Sequence, residues 1–359
     1  MLNTMINAVC LKVPKNLGEK VISLAHKLEL VNKRLFIKRQ SDQLWIPLVR
    51  QPNENELSQL EDIAPQLALS TENFVDKRPA EETLTLVLER QLPSNLYSSI
   101  PRSLDIVGDI AVIEIPPDLN EYKAIIGQAI LKTHKNIKSV HAKAGAISGV
   151  YRIRDLTCIA GEDRTQTVYT EYGCQYHVDL AKAYFSPRLS QEHHRIATLV
   201  GAGEVVVDLF AGVGPFVVPI GKLCPEAKAY AVDINPDAVD LLKINVRVNR
   251  VENRVYPLLG DARELANGKL QGIADRVIMN LPETAIDFID VACQALKFTG
   301  GLVHFYGFIR KPNTVEDLKA RFTCLIEQQG RKVMTFRCIK SVRETAPYEQ
   351  QVVLDVQIR

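Results

Sequence analysis

The sequence predicts an α/β protein: a doubly wound, mostly parallel sheet with an antiparallel hairpin at its C-terminal edge, preceded by two smaller α+β domains. Three observations lead there. From about Arg188 onward, β-branched runs alternate regularly with helical stretches, the texture of a parallel sheet covered on both faces. The last two apolar runs, Lys332 to Ile339 and Gln350 to Ile358, have no helix between them and read as a hairpin. The chain has 359 residues, more than one domain of usual size holds.

The elements follow in order. Val9 to Val13 reads as a strand, Asn16 to Leu30 as a helix, and Leu35-Phe36-Ile37 and Leu44 to Leu48 as strands. Thr71 to Thr83 is polar, contains Pro79, and reads as a linker. A second unit follows, with a strand at Ile110 to Ile115, a helix at Glu121 to Lys135, and strands at Val150 to Ile153, Gln166 to Glu171 and Gln175 to Asp179. The alternating region has strands at Glu204 to Asp208, Ala227 to Val232, Val255 to Leu259, Arg276 to Met279 and Leu302 to Phe308. Helices fit at Pro236 to Asn249, Thr284 to Leu296 and Val315 to Gln329. The expected domains are 1–75, 76–185 and 186–359.

Composition excludes several classes. Lys+Arg number 44 and Asp+Glu 42, a net charge of +2, so the chain is no polycation. Charge is nonetheless local: Lys12 to Arg39 is basic, and Glu54 to Asp76 is acidic. The basic run is either a solvated face or a contact to nucleic-acid phosphate. No apolar run is long enough to span a bilayer, and the N-terminus has no leader character. Seven scattered cysteines show no Cys/His ligand spacing, so neither a disulfide framework nor a metal site is expected, and the expected location is cytoplasmic.

Four motifs fall at successive strand tips. Asp208-Leu209-Phe210-Ala211-Gly212-Val213-Gly214-Pro215-Phe216 follows the first strand, with glycines that let backbone approach a ligand. Val217 stands where a dinucleotide loop has its third glycine, and Pro215 removes an N–H that a phosphate would use. The second strand ends at Asp233-Ile234-Asn235-Pro236, where an acid holds a ribose diol. The third ends at Gly260-Asp261-Ala262, where a carboxylate can accept from an adenine amino group. The fourth ends at Asn280-Leu281-Pro282. Each acid has a plainer reading, as an acceptor for loop or helix-cap amides.

This series resembles the class I S-adenosylmethionine-dependent methyltransferases. Tyr151-Arg152-Ile153-Arg154, Ala160-Gly161-Glu162-Asp163-Arg164-Thr165 and Asp179 to Leu189 narrow the resemblance to the archaeal–eukaryotic tRNA (guanine-37-N1)-methyltransferase family. It is dense from about Leu104 onward and weak before Thr71. The resemblance implies S-adenosyl-L-methionine as cofactor, held by His193, Asp208, Phe210, Gly212, Gly214, Asp233, Ile234, Asp261, Ala262 and Asn280. It implies tRNA as partner, touched at the anticodon loop and the elbow; a monomer with no obligate protein partner and no membrane is expected.

Methylating guanine N1 requires a base for its proton and a donor where charge gathers on O6. By resemblance, Glu192 is the general base, Arg152 holds O6, and Asn280 bridges cofactor and target. Tyr184, Arg188 and Pro282 line the base pocket. By spacing alone, Ser186 caps a helix beginning at Pro187, and Arg188 and Glu192 form an ordinary i, i+4 pair. His193 departs from the family, where relatives often carry Arg. Wyosine-precursor methylation or aminocarboxypropyl transfer on the same scaffold is the alternative.

Overall fold

The computed structural model describes residues 5–76, 83–101, 103–149 and 151–359. The chain folds as two compact units, Met1–Val87 and Leu88–Arg359.

The first unit is a four-stranded sheet, ordered β2-β3-β1-β4, with β1 Met5–Pro14, β2 Lys38–Gln40, β3 Gln43–Pro47 and β4 Ala68–Val75. Helices α1 Gly18–Lys27 and α2 Glu54–Ile63 cover it, burying Val21, Ala25 and Leu60 with Leu11, Val13 and Ile46. Asn53 and Glu56 form a reciprocal capping box that fixes the start of α2. Two expectations are corrected here. Leu35 makes only an isolated bridge to Asp76, and the strand forms later, at Lys38. The segment read as a linker begins inside β4, whose Phe74 is buried against Cys10 and Leu35. Polar alternation disguised this strand. Residues 77–82 of that linker lie outside the described residues. The basic run is partly neutralised, since Arg34 pairs with Asp76 and Lys38 with Glu72.

Helix α3, Leu84–Glu89, spans the division between the units. The second unit opens with a sheet ordered β5-β6-β7-β8, from β5 Leu104–Val107, β6 Ile110–Ile113, β7 Ser139–Ser148 and β8 Ile153–Gly161, with α4 Lys123–Thr133. A hairpin of β9 Gln166–Glu171 and β10 Cys174–Asp179 follows. The strand expected at Val150 to Ile153 is corrected: Val150 lies outside the described residues, Tyr151 and Arg152 form a turn, and β8 starts at Ile153.

A seven-stranded sheet completes the unit: β11 Val205–Asp208, β12 Lys228–Asp233, β13 Val255–Leu259, β14 Arg276–Met279, β15 Gly301–Arg310, β16 Val333–Ala346 and β17 Glu349–Ile358. Its order is β13-β12-β11-β14-β15-β17-β16. Strands β11 to β15 are parallel, whereas β17 runs antiparallel to both β15 and β16. Alternation along each strand sends side chains to opposite faces. Val206, Ile278 and Tyr306 pack with α5 Ser190–Thr198, α6 Val217–Leu223 and α7 Pro236–Val248. Val207, Met279 and Phe305 pack with α8 Ala262–Ala266, α9 Ile289–Ala295 and α10 Val315–Gln328. The helix expected from Thr284 instead opens with a 3₁₀ turn at Ala285–Phe288. The strand order reverses between β11 and β14, where open α/β sheets place their ligands. No described helix is long and apolar enough to cross a membrane.

Candidate active site

A cavity of about 590 Å³ opens at this reversal. The C-terminal ends of β11, β12, β13 and β14 supply one part of its wall, through Phe210, Gly212, Asp233, Ile234, Asp261, Ala262, Asn280 and Pro282. Arg152, Tyr184, Arg188 and His193 also line it.

The loop after β11 is shaped by two glycines. Gly212 has φ +53°, and a Cβ there would meet only the Tyr184 carbonyl, at 3.8 Å. Its backbone therefore faces open space, and its N–H donates to Asp233 at 2.7 Å. Gly214 has a different task. At φ +92°, its Cβ would strike Leu242 at 2.4 Å, so this glycine lets the loop pack against α7, and it does not line the cavity.

The three acids differ. Asp233 accepts from the Gly212 and Asn235 amides, and burial raises its pKa. Asp261 caps α8 through the Arg263 amide, at 2.8 Å. The plain amide-acceptor role thus holds for both, and both still face the cavity. Asp208 is fully buried and does not line it. One of its oxygens accepts from the Phe210 amide, the other has no partner, and burial pushes its pKa up to about 7. The open Gly212 backbone, the Asp233 and Asp261 carboxylates and the apolar Ile234, Phe210 and Ala262 fit the sugar, base and chain of S-adenosylmethionine.

The target side is held by a network absent from the sequence motifs. Arg343 on β16 donates to Gln351 at 2.9 Å, to Ser186 at 3.1 Å and to the Tyr184 hydroxyl at 3.4 Å. Gln351 on β17 donates to Asn280 at 3.4 Å. Arg343, Gln351, Glu283 and Glu349 line the cavity, and sequence reasoning missed all four. Glu283 directly follows Asn280-Leu281-Pro282, the signal that could have found it. The Arg152 guanidinium donates to both of its oxygens, at 2.6 and 2.8 Å, and lowers its pKa.

The helical pairing expected around Arg188 is corrected. Residues Pro187–Leu189 form a 3₁₀ turn ahead of α5, and Arg188 is exposed whereas Glu192 is buried. Arg188 pairs instead with Asp105 at 2.5 Å. Ser186 occupies the cap position, but its hydroxyl accepts from Arg343 and bonds no helix amide. Glu192 is 2% exposed and does not line the cavity. It accepts from Lys340 at 2.9 Å, Arg195 at 2.9 Å and the Tyr306 hydroxyl at 3.2 Å. His193, next to it, does line the cavity and binds Glu171 through Nδ1 at 2.7 Å.

Comparison with known proteins identifies the family. The family model for the TRM5/TYW2 methyltransferase domain matches residues 167–334, the TYW2 N-terminal domain matches 84–165, and the tRNA methyltransferase 5 N-terminal domain matches 10–56. Trm5b of Pyrococcus abyssi, a tRNA (guanine(37)-N(1))-methyltransferase, is 36% identical over 357 residues, covering 98% of this chain and 99% of the relative. The chain belongs to the TRM5/TYW2 methyltransferase family. The crystal structure of the Pyrococcus abyssi Trm5b superposes with a TM-score of 0.73 at 35% identity, covering 98% of this chain and 99% of that one. A complex of aTrm5 with tRNALeu superposes at 0.68 and 32% identity, covering 98% and 100%. A tRNA 4-demethylwyosine(37)-methyltransferase, Taw21 of Saccharolobus solfataricus, is 34% identical over 256 residues, covering 71% of this chain and 93% of that protein.

Proposed function

We propose that this TRM5/TYW2 family member is a tRNA (guanine(37)-N1)-methyltransferase that takes its methyl group from S-adenosylmethionine. The observation that carries the reading is one cavity where the Arg152 guanidinium and the Asn280 amide share a wall system with the Gly212, Asp233 and Asp261 cofactor side. Extent of similarity favours it over wyosine chemistry: the Trm5b relative matches 98% of this chain, and Taw21 matches 71%.

When bound, S-adenosylmethionine supplies an electrophilic methyl on sulfonium. The chain does the rest. Asp233 accepts from the ribose hydroxyls and Asp261 from the adenine amino group. His193 stands at the cofactor's carboxylate end, braced by Glu171. Tyr184 and Pro282 flank the guanine, and Arg188 joins them on the wall. Arg152 donates to O6 as enolate-like charge gathers there. Glu192 takes the N1 proton, which requires its carboxylate to turn from the Lys340 and Arg195 pairs toward the target. A second reading gives that proton to Glu283, which already lines the cavity. Arg152 lowers the Glu283 pKa, so passing Arg152 to O6 would make Glu283 more basic as the target arrives.

The tRNA-contact role falls to residues 1–75 and 76–185, with 186–359 as the methyltransferase domain. The protein acts in the cytoplasm as a monomer, reaching both elbow and anticodon loop. Labelled methyl transfer into transcripts bearing guanosine or adenosine at position 37 tests the assignment. Only the guanosine transcript should take label, and equal labelling of both would refute it.

A further inference from the structure

The smaller sheet of the second unit brings together three residues that no motif links. His141 on β7 lies directly across from Cys158 on β8, and Asp163 follows in the turn after β8. A His141 ring nitrogen, the Cys158 sulfur and an Asp163 carboxylate oxygen lie within 4.8 Å of one another.

The hydrogen bonds of His141 fix its tautomer. Nε2 is 2.8 Å from the Arg164 carbonyl oxygen, which can only accept, so the proton sits on Nε2. Ser139 sits 2.8 Å from the same nitrogen and donates its own proton to the Glu162 carbonyl at 2.6 Å. The lone pair is therefore on Nδ1. That atom is buried with no hydrogen-bond partner, on a side chain only 1% exposed. An unpaired buried acceptor is costly and calls for a partner. A ring N–H fastened to a backbone carbonyl, with the other nitrogen bare, is the arrangement of a metal-ligating histidine.

We propose that His141 Nδ1, Cys158 Sγ and the Asp163 carboxylate bind a divalent transition metal of the zinc class. Imidazole and thiolate donors suit zinc or cobalt, whereas magnesium and calcium take oxygen. Donors around a tetrahedral zinc sit roughly 3.4–3.8 Å apart. Asp163 is exposed, so rotating its side chain closes the set, and a water takes the fourth position. The ion would tie the 162–165 turn to β7 and β8. Arg164 in that turn grips Asp109 at 2.6 and 3.0 Å, so the metal would brace one end of this sheet. Ligand spacings of 17 and five residues (141, 158 and 163) match no common zinc pattern, which is why no motif announces the site.

The test is cobalt(II) titration of the full-length chain after chelator treatment. The expected result is one equivalent bound, with a thiolate-to-cobalt charge-transfer band. Cys158→Ser should abolish the band, and Asp163→Asn should weaken cobalt binding by about 10–100-fold or more. S-adenosylmethionine binding by calorimetry reports that each variant is folded. No band in the wild-type chain, or a band that persists in Cys158→Ser, overturns the proposal. Should Cys158→Ser fail to fold, the exposed Asp163→Asn decides alone, and unchanged cobalt affinity there overturns it.

Discussion

Arg152 grips both carboxylate oxygens of Glu283, at 2.6 and 2.8 Å, from the turn before β8 to the turn after β14. The pair bridges the smaller sheet and the seven-stranded sheet at the cavity itself. Arg152 sits at φ +55°, a left-handed conformation that costs a side-chain-bearing residue some strain. The bidentate pair is what holds the guanidinium in place there.

Arg152→Ala should lower single-turnover methyl transfer by about 10²–10³-fold, the usual loss when a donor to developing oxyanion charge is removed. Arg152→Lys should recover little of it, since an ammonium cannot reproduce the planar fork. Rapid-quench kinetics at saturating tRNA and cofactor checks both. A near-normal rate for Arg152→Lys would mean that only a positive charge is needed.

Glu192→Gln and Glu283→Gln separate the two candidate bases. The variant that loses the base should fall about 10²–10⁴-fold in single-turnover rate, with little change in tRNA or cofactor affinity. That fall is expected for Glu192→Gln. A near wild-type rate there, with a collapse for Glu283→Gln, would assign the proton to Glu283 and leave Glu192 as the anchor of Lys340 and Arg195. Thermal unfolding of Glu192→Gln should accompany the rates, because that buried carboxylate faces two cations.

The strand-tip motifs were legible because each is local: a few consecutive residues form both the turn and the wall. Asp233, which accepts loop amides, and Asp261, which caps α8, show that a structural acceptor role and a place at the cavity coexist in one side chain. What stayed hidden depends on long-range pairing. Arg343 and Gln351 reach the site only because β17 inserts between β15 and β16, and β16 pairs through repeated register shifts that break its alternation. The expected Arg188–Glu192 pairing failed for a local reason: Pro187–Leu189 form a 3₁₀ turn ahead of α5, and Arg188 pairs with Asp105. Strand β7 escaped notice because its Ala-Lys-Ala-Gly-Ala run carries little β-branched signal.

Asp233→Ala should weaken S-adenosylmethionine binding by roughly 1.5–3 kcal/mol for each ribose hydrogen bond lost, before compensation. It also frees the Gly212 and Asn235 amides that shape the loop. Calorimetry measures the effect. An unchanged dissociation constant would place the ribose elsewhere.

Asp208 predicts a pH dependence. Its folded pKa, pushed up to about 7 by burial, lies above the unfolded value of about 3.9. Between these values the folded chain keeps a proton that the unfolded chain has lost, so its contribution to stability falls as pH rises. Asp109 works in the opposite sense, because the Arg164 guanidinium holds it down to about 2, and that contribution is lost only below about pH 4. Thermal unfolding from about pH 4 to about pH 8 should show wild type losing stability relative to Asp208→Asn. Parallel curves would mean that Asp208 is ionised throughout.

Methylation of guanine 37 at N1 by this cavity is tested most directly by nucleoside analysis. A G37 transcript is incubated with the full-length chain and S-adenosylmethionine, digested, and resolved by mass spectrometry against authentic methylguanosines. The expected product is 1-methylguanosine, arising only from position 37. Methyl on another guanine atom, or transfer only to a tricyclic wyosine precursor, would contradict the assignment.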